Sequence, residues 1–141
     1  MRFMGKKKNE KIKSGQVIIP GNHPNPPLPH EVNTAMALAC HYNSDVVFLI
    51  PVDDFMRKTA DISLLNVEWE IKSPIGASKS TIGNQFRSGS KQSGNLVIDT
   101  RRSALDYERI VKAVLVEIKK RPTIKKVILI NKFGKVVEIK M

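Results

Sequence analysis

The residues best suited to chemistry are two carboxylates and a lysine: Asp61 in T-A-D, and Glu70 and Lys72 in W-E-I-K. A pair of carboxylates can hold a divalent cation such as Mg2+ through hard oxygen ligands, and a neighbouring ammonium can orient water or stabilise a pentacovalent phosphate. If Ala60–Leu65 and Val67–Lys72 form a hairpin turning at Leu65-Asn66, Asp61, Glu70 and Lys72 converge at one sheet edge. Glu31, on a preceding helix, and Gln85, on a following one, could complete that site. Asp61, Glu70 and Lys72 are thus the candidate catalytic centre, and Glu31, Asp61 and Glu70 the candidate metal ligands. The same strict alternation also suits an ordinary amphipathic strand, with Val67, Trp69 and Ile71 inward and Glu68, Glu70 and Lys72 in water. Periodicity does not separate these two readings.

A second constellation lies in SPIGASKSTIGNQFRSGSKQ, residues 73–92. Ser78 or Ser80 would cap a helix whose first amides, with Lys79, Thr81, Arg87 and Lys91 around them, make an anion site suited to phosphate. A capped polar surface helix is the plainer alternative, and it leaves Asn84, Gln85 and Gln92 without a role. Arg101 and Arg102, at the end of a strand, could clamp a phosphate bidentately or simply solubilise the surface. The three histidines have no zinc-site spacing, though His30 is open as an acid or base, and no Gly-rich phosphate loop, nucleophile elbow or zinc finger occurs. Cys40, the lone cysteine, sits in an Ala-Leu-Ala-Cys run and reads as a small buried hydrophobe.

The elements that must position these groups follow from pattern. Residues 1–29 read as a basic and then proline-rich arm, ending in GNHPNPPLP. From His30 to Tyr42 the apolar positions suit a packed helix, and Val46–Ile50 a buried strand. The hairpin comes next, then a helix over Ser78–Gln92 whose large apolar residues are Ile82 and Phe86 alone. Asn95–Asp99 is a short strand. Tyr107, Ile110, Val111, Val114, Leu115 and Ile118 mark the clearest amphipathic helix, closed by Arg121-Pro122. Lys126–Ile130 and Val136–Ile139 flank a terminal turn at Lys132–Lys135. The order α-β-β-β-α-β-α-β-β predicts one α/β (α+β) domain over 30–141, with helices on a central mixed sheet.

Composition narrows the partner. In 141 residues, 24 Lys and Arg stand against 13 Asp and Glu, a net charge of +11. The excess is segregated: residues 1–13 carry +5, residues 14–70 carry −5, and residues 71–141 carry +11. An acidic centre between basic flanks suits a nuclease, where cations hold phosphates and a carboxylate cluster holds a metal. No apolar run spans a membrane or serves as a signal peptide. Aromatic content of 6% argues against a stacking platform for single strands. The competing classes are an RNA endonuclease, a metal-dependent DNA endonuclease, and a basic nucleic-acid-binding module without turnover.

The stretch VEWEIKSPIGASKSTIGNQFRSGSKQSGNLVIDTRR, residues 67–102, resembles the C-terminal tRNA nuclease domain of CdiA-type contact-dependent growth inhibition toxins and related mobile-element toxin domains. The resemblance rests on W-E-I-K-S-P, T-I-x-N-Q, K-Q-S-x-N and I-D-x-R-R. It implies a toxin nuclease that cleaves RNA, with tRNA the expected substrate, acts in the cytoplasm of a target cell, and is neutralised by a cognate immunity protein; the basic charge makes an acidic one the expectation. It carries over Glu70, Lys72, Ser73, Thr81, Asn84, Gln85, Asp99, Arg101 and Arg102. Toxin nucleases of this kind occur on two folds. The PD-(D/E)XK-like fold fits the expected strand order and would use a divalent cation at Glu31, Asp61 and Glu70, although Ala60 stands where the family name has Pro. The barnase, colicin and RelE-like alternative needs no metal. There Lys72, Arg101 or Arg102 would stabilise the phosphorane, Thr81 or Ser73 would orient it, and His30 or Lys72 would move the proton.

Overall fold

The computed structural model describes residues 15–52 and 59–141, so the basic arm over 1–13 and the charges of residues 53–58 lie outside it. Within these described residues seven strands and three helices follow one another: β1 (Val17–Ile18), α1 (Pro29–Tyr42), β2 (Val46–Phe48), β3 (Ile62–Leu64), β4 (Val67–Lys72), α2 (Thr81–Gly89), β5 (Asn95–Asp99), α3 (Tyr107–Lys120), β6 (Lys126–Ile130) and β7 (Val136–Lys140). The strands form one mixed sheet in chain order, β1 to β7. β2, β3 and β4 are an antiparallel meander; β5 and β6 run parallel to β4; β7 closes the far edge antiparallel to β6. The α/β expectation holds, and the expected element order holds from α1 onward.

Alternation of side chains across the pleat sorts the core into two layers. Trp69 and Ile71 of β4, Val97 of β5 and Ile128 and Ile130 of β6 pack under Ala35, Leu38 and Ala39 of α1. Leu96, Ile98, Val127 and Leu129 face the other way, against Ile82 and Phe86 of α2 and Ile110 and Val114 of α3. The uninterrupted apolar runs of β5 and β6 are therefore the signature of strands covered on both faces. Each fully buried Leu, Ile or Phe here contributes about 1.5–3 kcal/mol by leaving water.

Two turns set the frame of the site. Leu65 and Asn66 both have positive φ, 55° and 62°, giving the tight two-residue reversal that matches the twist of β3 and β4. Asn43, at φ 51°, closes α1 in the left-handed conformation common after helices. Three expectations need correction. Val17–Ile18, expected within the arm, pairs parallel with Val46–Val47 as an edge strand. α2 spans Thr81–Gly89 and not Ser78–Gln92. Cys40 is exposed, because α1 presents its neighbours Leu38 and Ala39 to the sheet and turns Cys40 away.

Candidate active site

Asp61 lies just before β3, where the main-chain ladder to β4 ends. Its N–H donates to the Trp69 carbonyl at 3.0 Å, and its own carbonyl accepts from Leu49 at 2.9 Å, so it is held between β2 and β4. Beyond that point its side chain replaces the ladder: Oδ2 accepts from the Ile71 N–H at 2.8 Å. This bond turns the carboxylate towards β4 and brings it within hydrogen-bonding reach of Glu70.

Glu70 does not belong to a solvated face. It is only 6% exposed, because α2 covers the side of β4 that alternation would otherwise give to water. Gly89 permits that close approach: a Cβ there would lie 2.9 Å from Leu96 Cδ2 and 3.4 Å from Lys72 Cε. Burial, and then the Asp61 charge, push the Glu70 carboxyl up to about 8, against the opposing pull of Lys72. Asp61 is also raised, mainly by burial, with the Ile71 N–H and Glu70 opposing. The physical picture near neutral pH is one proton shared between two carboxylates, leaving one negative charge beside the Lys72 ammonium. The 3.4 Å contact between Lys72 Nζ and Glu70 Oε2 is thus part of a three-group cluster and not a simple ion pair. Lys72 is further held by Ser88 Oγ of α2, to which it donates at 3.2 Å.

Asp61 and Glu31 line one cavity of about 480 Å³, which also involves His23, Leu28, Phe48, Leu49 and Thr59. Glu31 is at the third position of α1, and its Oε1 accepts from the Leu28 N–H at 2.8 Å, capping the helix. Its charge raises the Asp61 carboxyl a little further. His23 spans the cavity wall. Its Nδ1 accepts from the Asn25 N–H at 3.2 Å, so Nε2 carries the proton and donates to the Leu49 carbonyl at 2.9 Å. Among the described residues no three His, Cys, Asp or Glu side chains stand together as a ready metal-ligand set. Asp61 and Glu70 are the closely joined pair, with Glu31 on the same cavity as Asp61.

The remaining candidates fall into separate places. Arg101 closes on Asp99 through Nε at 3.0 Å and Nη2 at 2.7 Å, so it is already used as a strut and not as a free clamp. Ser73 and Arg102 line a small cavity near that pair. Thr81 is buried with its hydroxyl against Ser78 Oγ at 3.2 Å, and Ser80, at the N-cap position, makes no side-chain cap bond. Lys79 lies beside a groove between α2 and α3. Asn84 accepts from Arg87 at 2.8 Å, which pairs those two along the helix. Gln85 is half-buried on α2, and Lys91 is exposed beyond it. Sequence reasoning missed His23 and Ser88. The only local sign of either was the small residue Gly89 next to Ser88, since both act through contacts distant in the chain.

Comparison with known families decides what kind of chain this is. Residues 58–136 match the contact-dependent growth inhibition CdiA C-terminal domain. The chain belongs to that family. The matched span contains Asp61, Glu70, Lys72, α2 and both arginines, so the resemblance read over residues 67–102 holds at the level of family. A solved structure, the CdiA-CT/CdiI toxin and immunity complex from Burkholderia pseudomallei, shares the fold with a TM-score of 0.57 at 21% identity. The alignment covers 90% of this chain and 100% of that one. No curated protein matches the chain.

Proposed function

We propose that this CdiA C-terminal domain is a toxin endonuclease that cleaves RNA, with tRNA as its substrate, at the Asp61–Glu70–Lys72 cluster. The observation that carries the reading is the pairing of half-buried Asp61 with buried Glu70, both carboxyls pushed towards their protonated form and set against a lysine beside an open cavity. Burying two carboxylates together is costly unless a cation or proton joins them, and such sites recur where charge must be managed during a reaction. The meander β2–β4, followed by α2 and a parallel β5, supports a PD-(D/E)XK-like reading, with Asp61 before β3 and E-x-K along β4.

The donor set fits a hard divalent cation. Asp61 and Glu70 would hold it, with Glu31 on the same cavity as Asp61, and the cation would neutralise phosphate charge and polarise a phosphoryl oxygen. The residues themselves do the rest. Lys72, fixed by Ser88 and the carboxylate pair, presents its ammonium where charge builds on the transferring phosphoryl group. With no cation bound, Glu70, whose carboxyl is raised to about 8, can hold a proton near physiological pH, and a cation would displace it. The cationic surface of residues 71–141 holds the polyanion. A cognate acidic immunity protein is the proposed partner; the similar Burkholderia structure is itself a toxin and immunity complex.

The test is to incubate wild-type and Lys72→Ala protein with total cellular RNA and with plasmid DNA, in magnesium and in EDTA, and to map the ends. The expected result is magnesium-dependent cleavage of tRNA, lost in the variant. EDTA-resistant cleavage leaving 2′,3′-cyclic ends would overturn the carboxylate route; cleavage of DNA alone would overturn the RNA assignment; inert protein would favour a binding module.

A further inference from the structure

On the opposite side of the first turn of α1 from the carboxylate cavity lies a second hollow, about 160 Å³, lined by His30, Asn33, Ser73, Asp99, Arg101 and Arg102. Its position is informative. Ser73 follows β4 directly after Lys72, and Arg101 and Arg102 follow β5, so the hollow opens at the carboxyl ends of two neighbouring parallel strands, where open α/β sheets place ligands.

The charges in it are divided in an uneven way. Burial pushes the Asp99 carboxyl up, but bonds from Arg101 and from Thr34 Oγ1 of α1, at 2.6 Å, outweigh it and hold the group below the usual carboxylate range. Both Asp99 oxygens are occupied: Oδ1 by Arg101 N–H and Nε, and Oδ2 by Arg101 Nη2 and Thr34. That pair is electrically closed. Arg102 forms no ion pair among the described residues, and Ser73 Oγ is buried with no hydrogen-bond partner among them. A buried hydroxyl without a partner is costly unless something completes it. What remains available to a guest is an arginine fork, a hydroxyl, the Asn33 amide and the His30 imidazole, a donor-rich set that matches the oxygens of a phosphate.

We propose that this hollow is a phosphate subsite: it binds a backbone phosphate of the nucleic acid adjacent to the one presented to Asp61 and Glu70, with Arg102 and Ser73 as the binding residues and Arg101 as a positioning residue. The assignment of nucleic acid as the source rests on the nuclease reading above; the affinity for a phosphate group does not. In this arrangement α1 sets the register, since its first turn walls the carboxylate cavity with Glu31 and the phosphate subsite with His30 and Asn33.

Inorganic phosphate titrated into the full chain, followed by NMR, should shift the Ser73 and Asn33 amides and the His30 ring saturably, and Arg102→Ala or Ser73→Ala should weaken that binding at least fivefold. Shifts located elsewhere, or unaltered by both variants, overturn the subsite whether or not the protein cleaves RNA. With RNA, Arg102→Ala should raise KM several-fold at unchanged kcat and reduce the slope of log affinity on log salt by about one. If phosphate saturates the hollow while KM and the salt slope stay at wild-type values, the site belongs to a free anion and the nucleic-acid assignment falls. If phosphate binds there and no RNA is cut, the subsite stands and the nuclease reading alone fails.

Discussion

Replacing Glu70 by Gln tests the shared-proton description without disturbing shape. Glu70 is raised from 4.5 to about 8 in the folded protein by burial and by Asp61. A carboxyl raised on folding contributes stability that is complete below the unfolded value and is lost as pH rises towards the folded one. Between those limits the folded chain keeps a proton that the unfolded chain has released, so stability falls by about 1.4 kcal/mol per pH unit. From pH 4.5 to pH 7 wild-type protein should therefore lose about 3 kcal/mol that Glu70→Gln keeps. Gln stands in for the protonated carboxyl, and any loss of its contact with Lys72 is nearly constant with pH. Trp69, the single tryptophan and only 1% exposed, reports unfolding directly. Urea melts in EDTA at pH 5, 6, 7 and 8 should give two curves that diverge, with the variant gaining on the wild type at each step. Parallel curves would refute the shared proton, and with it the strain that makes the pair receptive to a cation.

Other consequences are independent of that one. Magnesium or manganese added in excess should raise the urea midpoint of wild-type protein and leave Asp61→Asn unchanged; equal shifts in both would place any cation elsewhere. Lys72→Ala should reduce RNA cleavage by about 10²-fold or more, as loss of one charge-stabilising donor does. Arg101→Ala leaves Asp99, which is 3% exposed, without its counter-ion and should cost about 3 kcal/mol in urea melts at neutral pH. Because Asp99 is held below its ordinary value, its contribution is present above about pH 4 and is lost as pH falls, so the difference between Arg101→Ala and wild type should shrink in acid. Gly89→Ala should push Leu96 or Lys72 aside, and its effect on cleavage should exceed that of Phe133→Ser, whose side chain is 95% exposed.

Local pattern carried the meander and the long helices because each has a signal in adjacent residues. Alternation marks Val67–Lys72, and Leu65-Asn66 supplies the turn, so the meeting of Asp61 with Glu70 is legible in the sequence. The two descriptions of β4 were equal at that level, and α2 decides between them: the surface that would be wet is covered, which no property of residues 67–72 alone reveals. Arg101 shows the same gap. As a side chain at a strand end it suits a clamp, and only the depth of Asp99, set by α1 through Thr34, converts it to a strut. β1 was hidden for a different reason. Two residues carry too little period to register, and their pairing with β2 depends wholly on a neighbour some thirty positions on.

The strand order has a kinetic meaning. Each described strand of the sheet lies beside its neighbours in the chain, so none of these strands has to thread past one already placed. The meander can close first through its tight turn, with β5, β6 and β7 added outward one at a time and β1 laid on the other edge last. The carboxylate pair then forms early, between two strands joined by two residues, whereas the Asp99–Arg101 strut and its hollow appear only after β5 has docked.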